Sequence, residues 1–410
     1  MAGEQQNRWR SPLMMLMLMQ AGMQFAFAAW WVLIKNFTVD EIGFSGFEIG
    51  IQETIREIPG FLAFLAIYLL LFMKERTLAL GSLALLALGV AVTGMFQSTY
   101  GILVTTFIMS VGFHYYETCN QSLSLQWLPK KTAPHQMGQI VAAGALAQLI
   151  AYGLILILWQ TFNLAFQTLF LMSGAASLLI LAFVVLWFPE FTIGPPQRRQ
   201  LVLRKRYWLY YALTFMSGAR RQIFVVFAAL MMVEKFDYDV HHVASLFLIN
   251  GVVNMVLAPK IGKLIVGIGE RKALMLEYIG LIGVFTTYAF VTSAELAAVL
   301  YVIDHAFFAM AIAIKTYFQK IADPTDIAPT AGVAFTINHI AAVSMPILFG
   351  LIWLYSPTAV FLAGSAMAAI SLILAFLVPR DPHKGNELTW TQFQREGQKP
   401  YATSNTSAQN

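Results

Sequence analysis

The chain has 410 residues, of which 58% are hydrophobic and only 11% are charged. A soluble domain carries about 25% charged residues, and several apolar runs here exceed the roughly 18 residues of a membrane-spanning helix, so a soluble protein is excluded. The net charge of +5 is expected to belong to loops that face anionic lipid, and nucleic acid is not an expected partner.

Twelve apolar runs are predicted to span the membrane as helices. The first half contains runs at roughly 13–34, 47–73, 77–97, 100–126, 137–160 and 163–188. The run that begins near Leu13 is too long for a signal-peptide core, so we expect a retained first helix. The second half contains runs at roughly 208–233, 242–265, 272–292, 296–320, 330–354 and 357–379.

A basic stretch with several prolines separates the two sets of spans. It contains Pro189, Pro195, Pro196, Arg198, Arg199, Arg204, Lys205 and Arg206. The predicted domains are an N-terminal six-helix bundle (1–188), a linker (189–207), a C-terminal six-helix bundle (208–379) and a polar tail (380–410).

Lysine and arginine are concentrated in alternate loops. They are Arg8, Arg10, Lys74, Arg76, Lys130, Lys131, the linker residues, Lys260, Lys263, Arg271, Lys272 and Arg380. Because basic loops remain on the cytoplasmic side, both termini and the linker are predicted to be cytoplasmic. The expected location is the inner (cytoplasmic) membrane, with membrane lipids as partners.

The two halves share an internal repeat. Several residues recur 195 positions later: Glu75-Arg76 as Glu270-Arg271, Pro129 as Pro324, and Pro134 as Pro329. All of these copies fall on the same predicted side of the membrane, so each copy must contain an even number of spans. A duplication of this kind is typical of secondary transporters, whose substrate site lies between the halves.

The arrangement resembles the major facilitator superfamily. That family carries Gly-x-x-x-Asp-Arg/Lys-x-Gly-Arg-Arg/Lys between helices two and three, often with a weaker copy between eight and nine. Here the second copy reads Gly262-Lys-Leu-Ile-Val266-Gly267-Ile-Gly269-Glu270-Arg271-Lys272, and its two glycines and Arg271 match. Val266 stands at the acidic position, and the first copy keeps only Arg76.

The resemblance implies an all-α polytopic membrane protein of twelve transmembrane helices in two pseudo-symmetric six-helix bundles. It also implies alternating access, with helices one, four, seven and ten lining the cavity. No cofactor is expected.

Span two carries Glu53, Arg56 and Glu57, whose spacing places them on one helix face. Charges within a membrane normally face a cavity or a partner. The three residues are predicted to take part in coupling or gating, as a charge relay or as an arginine held by two carboxylates. The alternative is a self-neutralised ion cluster that only fixes packing.

Span seven carries Arg220 and Arg221 near its middle. A guanidinium group is suited to bidentate binding of a carboxylate or a phosphate. At least one of these arginines is predicted to bind substrate. The alternative is that one of them pairs with a carboxylate of another helix as an interdomain lock.

Spans one, four and ten supply the remaining candidates. Substrate-binding roles are predicted for Gln20, Gln24, His114, Tyr115 and Lys315, and coupling or gating roles for Glu117, Asp304 and His305. Histidine titrates near physiological pH, and burial can shift a carboxylate toward that range. Alternatively, Asp304 forms a standing pair with Arg220 or Arg221, and Glu117 and Lys315 lie at the cytoplasmic mouth. His339 on span eleven is interpreted as a packed polar residue.

Motifs of other functions are missing from the sequence. There is no Walker sequence, nucleophile elbow or set of clustered metal ligands, so neither hydrolysis nor a metal site is expected. The single cysteine, Cys119, cannot form a disulfide within the chain. The methionines of span one are interpreted as apolar filler rather than as ligands for copper.

The sequence therefore predicts a monomeric secondary active transporter that moves a small organic anion by alternating access. A proton or another ion is the expected coupling partner. One alternative is a proton-coupled exporter of amphipathic compounds. Alternatives of another class are a membrane-embedded enzyme acting on lipid head groups and a transporter-like sensor.

Overall fold

A computed structural model describes residues 10–389 except positions 45, 194, 196, 198–199 and 239. Arg8, Pro196, Arg198, Arg199 and the tail from position 390 lie outside the described residues, so the predictions made for them stay predictions. Within the described ranges the regular structure is helical, without a β-strand.

Seven α-helices of the described residues form the first six spans. They are α1 (Pro12–Asn36), α2 (Gly46–Phe61), α3 (Ala66–Leu69), α4 (Glu75–Thr93), α5 (Thr99–Trp127), α6 (Ala133–Phe162) and α7 (Phe166–Trp187). The second span is divided between α2 and α3. Pro59 lies within α2, and a short 3₁₀ turn, Ala63–Leu65, separates the two helices.

Eight α-helices form the last six spans in the described part of the chain. They are α8 (Trp208–Gln222), α9 (Ala229–Phe236), α10 (Val240–Ile268), α11 (Glu270–Phe290), α12 (Ala294–Phe308), α13 (Ile312–Ile321), α14 (Ile327–Trp353) and α15 (Pro357–Phe376). Two spans are interrupted. A π-helical segment, Ile223–Ala228, joins α8 to α9, and a 3₁₀ turn, Ala309–Ala311, joins α12 to α13. Such interruptions often accompany functional sites because they redirect side chains.

Ten helical segments of the described chain are long and apolar enough to cross a membrane. The second and fourth spans are not among them. These two spans carry most of the polar candidates of the N-terminal half, including Arg56, His114 and Glu117. The second span is also divided, and its main helix, α2, has only 16 residues.

The internal repeat is preserved in the contacts at the ends of the helices. Glu75 begins α4, and its Oε2 accepts a hydrogen bond from Gln126 at 2.6 Å. Glu270 begins α11 and forms an ion pair with Lys320 at 2.8 Å. Each glutamate thus contacts the end of the next span, so the two halves use the same arrangement.

The linker is attached to both halves. Arg76 donates hydrogen bonds to the carbonyl oxygens of Phe188 and Pro189, at 2.9 and 2.8 Å. Lys74 lies 2.7 Å from Glu190, and its hydrogen bond and positive charge lower the pKa of Glu190. The membrane face on which these residues lie is called the linker side below.

The far end of the linker binds the loop before α14. Asp326 is fully buried and pairs with Arg204, whose Nη2 lies 3.0 Å from Oδ1. The hydroxyl group of Tyr207 donates to Asp326 at 3.1 Å and accepts from the backbone N–H of Asp323 at 2.9 Å. Gln197 donates to the Pro324 carbonyl at 2.8 Å. These contacts hold the linker against the C-terminal half.

The halves meet closely on the linker side, where α6 crosses α10. A Cβ atom on Gly138 would lie 2.3 Å from the carbonyl oxygen of Ala258. A Cβ atom on Gly262 would lie 2.3 Å from the carbonyl oxygen of Pro134. Only glycine allows such an approach of two backbones.

Further hydrogen bonds close the same side. Gln319 of α13 donates to the carbonyl oxygens of Leu125 and Leu128, at 2.7 and 2.9 Å. Farther along α14, at the level of the central cavity, Thr336 also joins the halves by bonding the backbone of Phe61 and Phe64, at 3.2 and 3.1 Å. The structure is therefore a state in which the halves are in contact toward the linker side.

Gly262→Ala is expected to open the linker side, because overpacking a close contact costs about 1–3 kcal/mol and the obstructing atom belongs to the backbone. A cysteine introduced at Gln121 in a Cys119→Ala background would report the change. Its labelling by an impermeant maleimide from the linker side should accelerate about fivefold or more. Gly267→Ala is the matched control, since a Cβ atom there meets nothing within 4 Å. Equal labelling of the two variants would contradict a role for this crossing.

Candidate functional site

A cavity of about 270 Å³ lies between the halves. Its walls come from α5, α8, α13, α14 and the 3₁₀ turn before α13, which belong to the fourth, seventh, tenth and eleventh spans. Three residues predicted for the site line it, namely Glu117, Arg221 and Lys315. Tyr210 and Phe335 add aromatic walls.

The residues that line this cavity carry more positive than negative charges. Arg221 and Lys315 are the two cations that act on Glu117. All three side chains belong to half-buried residues, so they are partly withdrawn from solvent while remaining at the cavity surface. One positive charge remains in excess, which favours an anionic occupant.

A residue of the first span, Gln20, forms a hydrogen bond with Glu117. Gln20 of α1 donates a hydrogen bond to Glu117 Oε1 at 3.4 Å. The side-chain oxygen of Gln20 accepts from Asn120 at 2.8 Å and from the Tyr116 hydroxyl at 3.4 Å. Gln20 therefore positions Glu117 and is not among the residues that line the cavity.

Two other predicted binding residues point elsewhere. Gln24 and Gln20 pack close to Gly144 of α6, where a Cβ atom would meet their Cγ atoms at 3.0 and 3.1 Å. The Tyr115 hydroxyl lies 3.5 Å from the carbonyl oxygen of Leu62, where the second span is interrupted. Neither Gln24 nor Tyr115 is among the cavity-lining residues.

Arg220 is buried in the interior of the C-terminal half, whereas its neighbour Arg221 lines the central cavity. Its guanidinium group is 3.5 Å from Glu277 Oε1 and 4.5 Å from the centre of the Tyr278 ring. The side chain is only 4% exposed. Adjacent helix residues point about 100° apart, so Arg220 can pair with another helix while Arg221 faces the central cavity. Arg220 thus forms an ion pair with another helix, but with a helix of its own half, so this pair is not an interdomain lock.

Glu277 was missed by the sequence interpretation. It lies in the middle of α11, between apolar residues, and is 3% exposed. A carboxylate in the middle of a spanning helix is the same signal that identified Asp304. The sequence carried this signal, but it did not show the pairing with Arg220.

Asp304 shares a small cavity with Arg220 and Glu277. The cavity has a volume of about 20 Å³, which is enough for one water molecule. Arg220 Nη1, Glu277 Oε2 and Asp304 Oδ2 are buried without a hydrogen-bond partner among the described residues. Arg221 also lines this cavity, but the charged groups that act on Asp304 are Arg220 and Glu277. The group formed by these three residues has polar atoms available for a bound water or proton.

His305 does not line that small cavity. Its ring lies 5.6 Å from the ring of Phe224. Adjacent positions on α12 again differ in direction, so Asp304 and His305 have different neighbours.

The charges of the second span form a compact cluster. Arg56 lies 2.8 Å from Glu53 Oε2 and 2.6 Å from Glu57 Oε1, and its guanidinium group stacks 4.9 Å from the ring centre of Trp31. The second oxygen of Glu57 lies 3.8 Å from Nε2 of His339 on α14. The cluster therefore extends from its own helix to the opposite half.

His114 lies beside this cluster and not in the central cavity. It is 1% exposed, and its ring centre is 5.0 Å from that of His339. His339 is also buried, at 5% exposure. Sequence reasoning treated His339 as simple packing, because nothing local reveals that its ring meets Glu57 and His114.

A sequence profile described as the Major Facilitator Superfamily matches residues 16–343 and, in a second match, 210–403. The chain belongs to the Major Facilitator Superfamily. The comparison with curated proteins found no match.

Solved structures of this superfamily share the fold. The fucose transporter FucP in its outward conformation is similar with a TM-score of 0.74 and 14% identity, over 89% of this chain and 97% of that one. The human organic anion transporter MFSD10 is similar with a TM-score of 0.70 and 14% identity, over 90% of this chain and all of that one. The predicted fold of twelve helices in two six-helix bundles is confirmed.

Membership of the superfamily has a general functional consequence. The protein is a multi-pass membrane protein of a transporter family, which implies a small-molecule substrate. The fourth, seventh and tenth spans supply cavity walls, as the resemblance implied, and the eleventh supplies a further wall. The first span contributes indirectly through Gln20.

Proposed function

We propose that the protein is a monomeric secondary active transporter of a small organic anion, coupled to protons. The observation that carries the proposal is the cavity between the halves, where Arg221 and Lys315 face a single carboxylate, Glu117. A guanidinium group and an ammonium group can together neutralise a carboxylate or phosphate ligand. A volume of about 270 Å³ limits that ligand to a small molecule.

The choice of substrate class depends on this cavity and not on the structural neighbours. A similarity at 14% identity establishes a common fold, and the neighbours include carriers of different substrates. Phe335 and Tyr210 allow an apolar portion on the anion, but the excess positive charge favours an anion over a neutral amphipathic compound.

Alternating access is supported by how the halves are joined. The contacts of Gln319 with α5 and the glycine crossing of α6 with α10 close the linker side. Substrate could leave toward that side only when these contacts separate. With the linker proposed as cytoplasmic, the structure corresponds to a state closed toward the cytoplasm of an inner-membrane protein.

Proton coupling is proposed for the group formed by Arg220, Glu277 and Asp304. Buried charges are stable when they are balanced, and within this group of three residues two carboxylates exceed one guanidinium by a single negative charge. One bound proton would balance the group. A proton can drive transport only if its affinity differs between the states that it connects.

Thermal unfolding and uptake can test the proposal together. A panel of small carboxylic acids, each matched with its neutral amide, would be added to the purified protein. An acid that binds the folded protein should raise its melting temperature, whereas its amide should not. Uptake of that acid by proteoliposomes should then increase when a pH gradient is imposed. Equal responses to acids and amides would contradict the anion proposal, and uptake that ignores the gradient would contradict proton coupling.

A further inference from the structure

Three potential metal ligands converge where the second, fourth and eleventh spans meet. They are a carboxylate oxygen of Glu57 and a ring nitrogen each of His114 and His339, and these atoms all lie within 4.8 Å of one another. Glu57 and His114 belong to the N-terminal half and His339 to the C-terminal half. The group, called the Glu–His–His triad below, therefore joins the two halves.

Both imidazole rings are oriented in the same way. Nδ1 of His114 lies 2.9 Å from the carbonyl oxygen of Ser110, and Nδ1 of His339 lies 2.9 Å from that of Phe335. In each case the partner is four residues earlier in the same helix. A ring that donates its Nδ1 proton to a carbonyl presents Nε2 as a lone-pair donor, which is the usual arrangement of a metal-binding histidine.

Gly60 makes room for the two rings. A Cβ atom at this position would lie 2.3 Å from Cδ2 of His339 and 2.6 Å from Cδ2 of His114. Gly60 follows Glu57 by three residues, so it lies on the same face of α2. Only a residue without a side chain lets both imidazoles approach Glu57.

We propose that the Glu–His–His triad binds a divalent transition-metal ion such as Zn²⁺. Two imidazole nitrogens and one carboxylate oxygen are suitable ligands for this ion, with water at a fourth position. Ligand atoms on one zinc ion lie about 2.0–2.2 Å from it, so they are at most about 4 Å apart. The distance of 3.8 Å between Glu57 Oε2 and His339 Nε2 already meets that limit. A shift of about 1 Å would bring the ring nitrogen of His114 within the same limit.

The surrounding charges are compatible with a cation. Arg56 occupies Oε1 of Glu57, which leaves Oε2 on the side of His339. Glu53 in turn pairs with Arg56, so the positive charge of Arg56 is offset. Arg221 is the other cation that acts on the two histidines, and the carboxylate of Glu57 acts on it in return. Glu53 and Glu57 thus balance the two arginines before a metal binds.

A bound metal would favour the state that the structure shows, because it would hold the two halves together. It would connect α2 and α5 of one half to α14 of the other, beside the contacts that Thr336 makes with α2. Phe335 lines the substrate cavity and stacks on His339 with ring centres 4.5 Å apart. The metal site thus adjoins the cavity without being part of its wall. By holding the halves together, the metal would inhibit transport. This inhibition depends on the proposed function, whereas metal binding itself does not.

Binding can be measured on the purified full-length protein after treatment with a chelator, with Zn²⁺ alone as the ligand. Calorimetric titration should give one site per chain, and the melting temperature should rise with Zn²⁺. Co²⁺ in its place should give the visible absorption of a nitrogen- and oxygen-ligated ion. His339→Gln and Glu57→Gln should each weaken Zn²⁺ binding by at least about tenfold, since each removes a ligand.

His305→Gln is the matched control, because it removes a histidine of the same half that lies outside the triad. It should retain the affinity of the parent protein for Zn²⁺. Each variant is first melted in the presence of chelator, so that a folding defect is distinguished from lost binding. Gly60→Ala should also weaken Zn²⁺ binding, since it displaces both rings without removing a ligand.

Two results would overturn the proposal. One is a parent protein that shows no saturable Zn²⁺ binding. The other is a folded His339→Gln protein that binds Zn²⁺ as the parent does. Zn²⁺ binding without any transport of organic acids would leave the metal site in place and contradict the proposed function instead.

Discussion

Arg221→Gln is expected to weaken binding of an organic acid by more than tenfold, or about 1.4 kcal/mol. Arg221 lines the central cavity, and its guanidinium group supplies one of the two positive charges there. Glutamine keeps much of the length of the side chain but removes the charge and the paired N–H donors. Titration calorimetry with the acid identified by thermal unfolding would measure the loss.

Arg220→Gln is the matched control for that experiment. The side chain of Arg220 is buried against Glu277 and Tyr278. Its loss should lower thermal stability, because breaking a buried pair costs about 3–5 kcal/mol, while the folded protein keeps its affinity for the acid. Arg221→Lys would test bidentate contact, since an ammonium group supplies charge without the planar pair of donors. If Arg221→Gln binds the acid like the parent, the anion proposal loses its main support.

Asp304→Asn is expected to abolish uphill accumulation of substrate. Asp304 is 2% exposed and shares its small cavity with Arg220, Arg221 and a second carboxylate, Glu277, of which Arg220 and Glu277 act on its charge. Asparagine removes the negative charge that a proton would neutralise, so the group is balanced without a proton in every state. Counterflow exchange, which needs the conformational change but no net proton movement, should be retained. Proteoliposome uptake with and without an imposed pH gradient would show the difference.

Glu295→Gln is the control on the same helix. Glu295 lies in the first turn of α12 and bonds Ser293 at the surface. It should accumulate substrate as the parent protein does. Normal uphill accumulation by Asp304→Asn would remove Asp304 from coupling and leave a structural role beside Arg220.

The sequence alone determined the class of protein and its repeated architecture. Apolar runs of spanning length predict helices wherever they occur, because the backbone must satisfy its own hydrogen bonds in lipid. The recurrence of Glu75-Arg76 as Glu270-Arg271 predicted the duplication, and both glutamates begin equivalent helices. These features are local in the chain, so they can be read without knowing which helices touch.

The sequence also marked most of the unusual charges but not their partners. A charged residue within an apolar run is visible by itself, which is how Glu117, Asp304 and the pair Arg220-Arg221 were found. Which of two adjacent arginines faces the cavity depends on the rotation of α8 against its neighbours. That rotation is set by packing around the whole helix and leaves no local signature.

Only the tertiary structure decided the contacts between distant spans. Arg220 meets Glu277, and Glu57 meets His339, although each pair comes from separate helices, and the second pair from separate halves. His339 and Gly60 gain meaning only when α2 and α14 lie side by side. The physical reason is that helix pairing depends on the shapes of side chains all along each contact, whereas a single sequence displays only the order of residues within each helix.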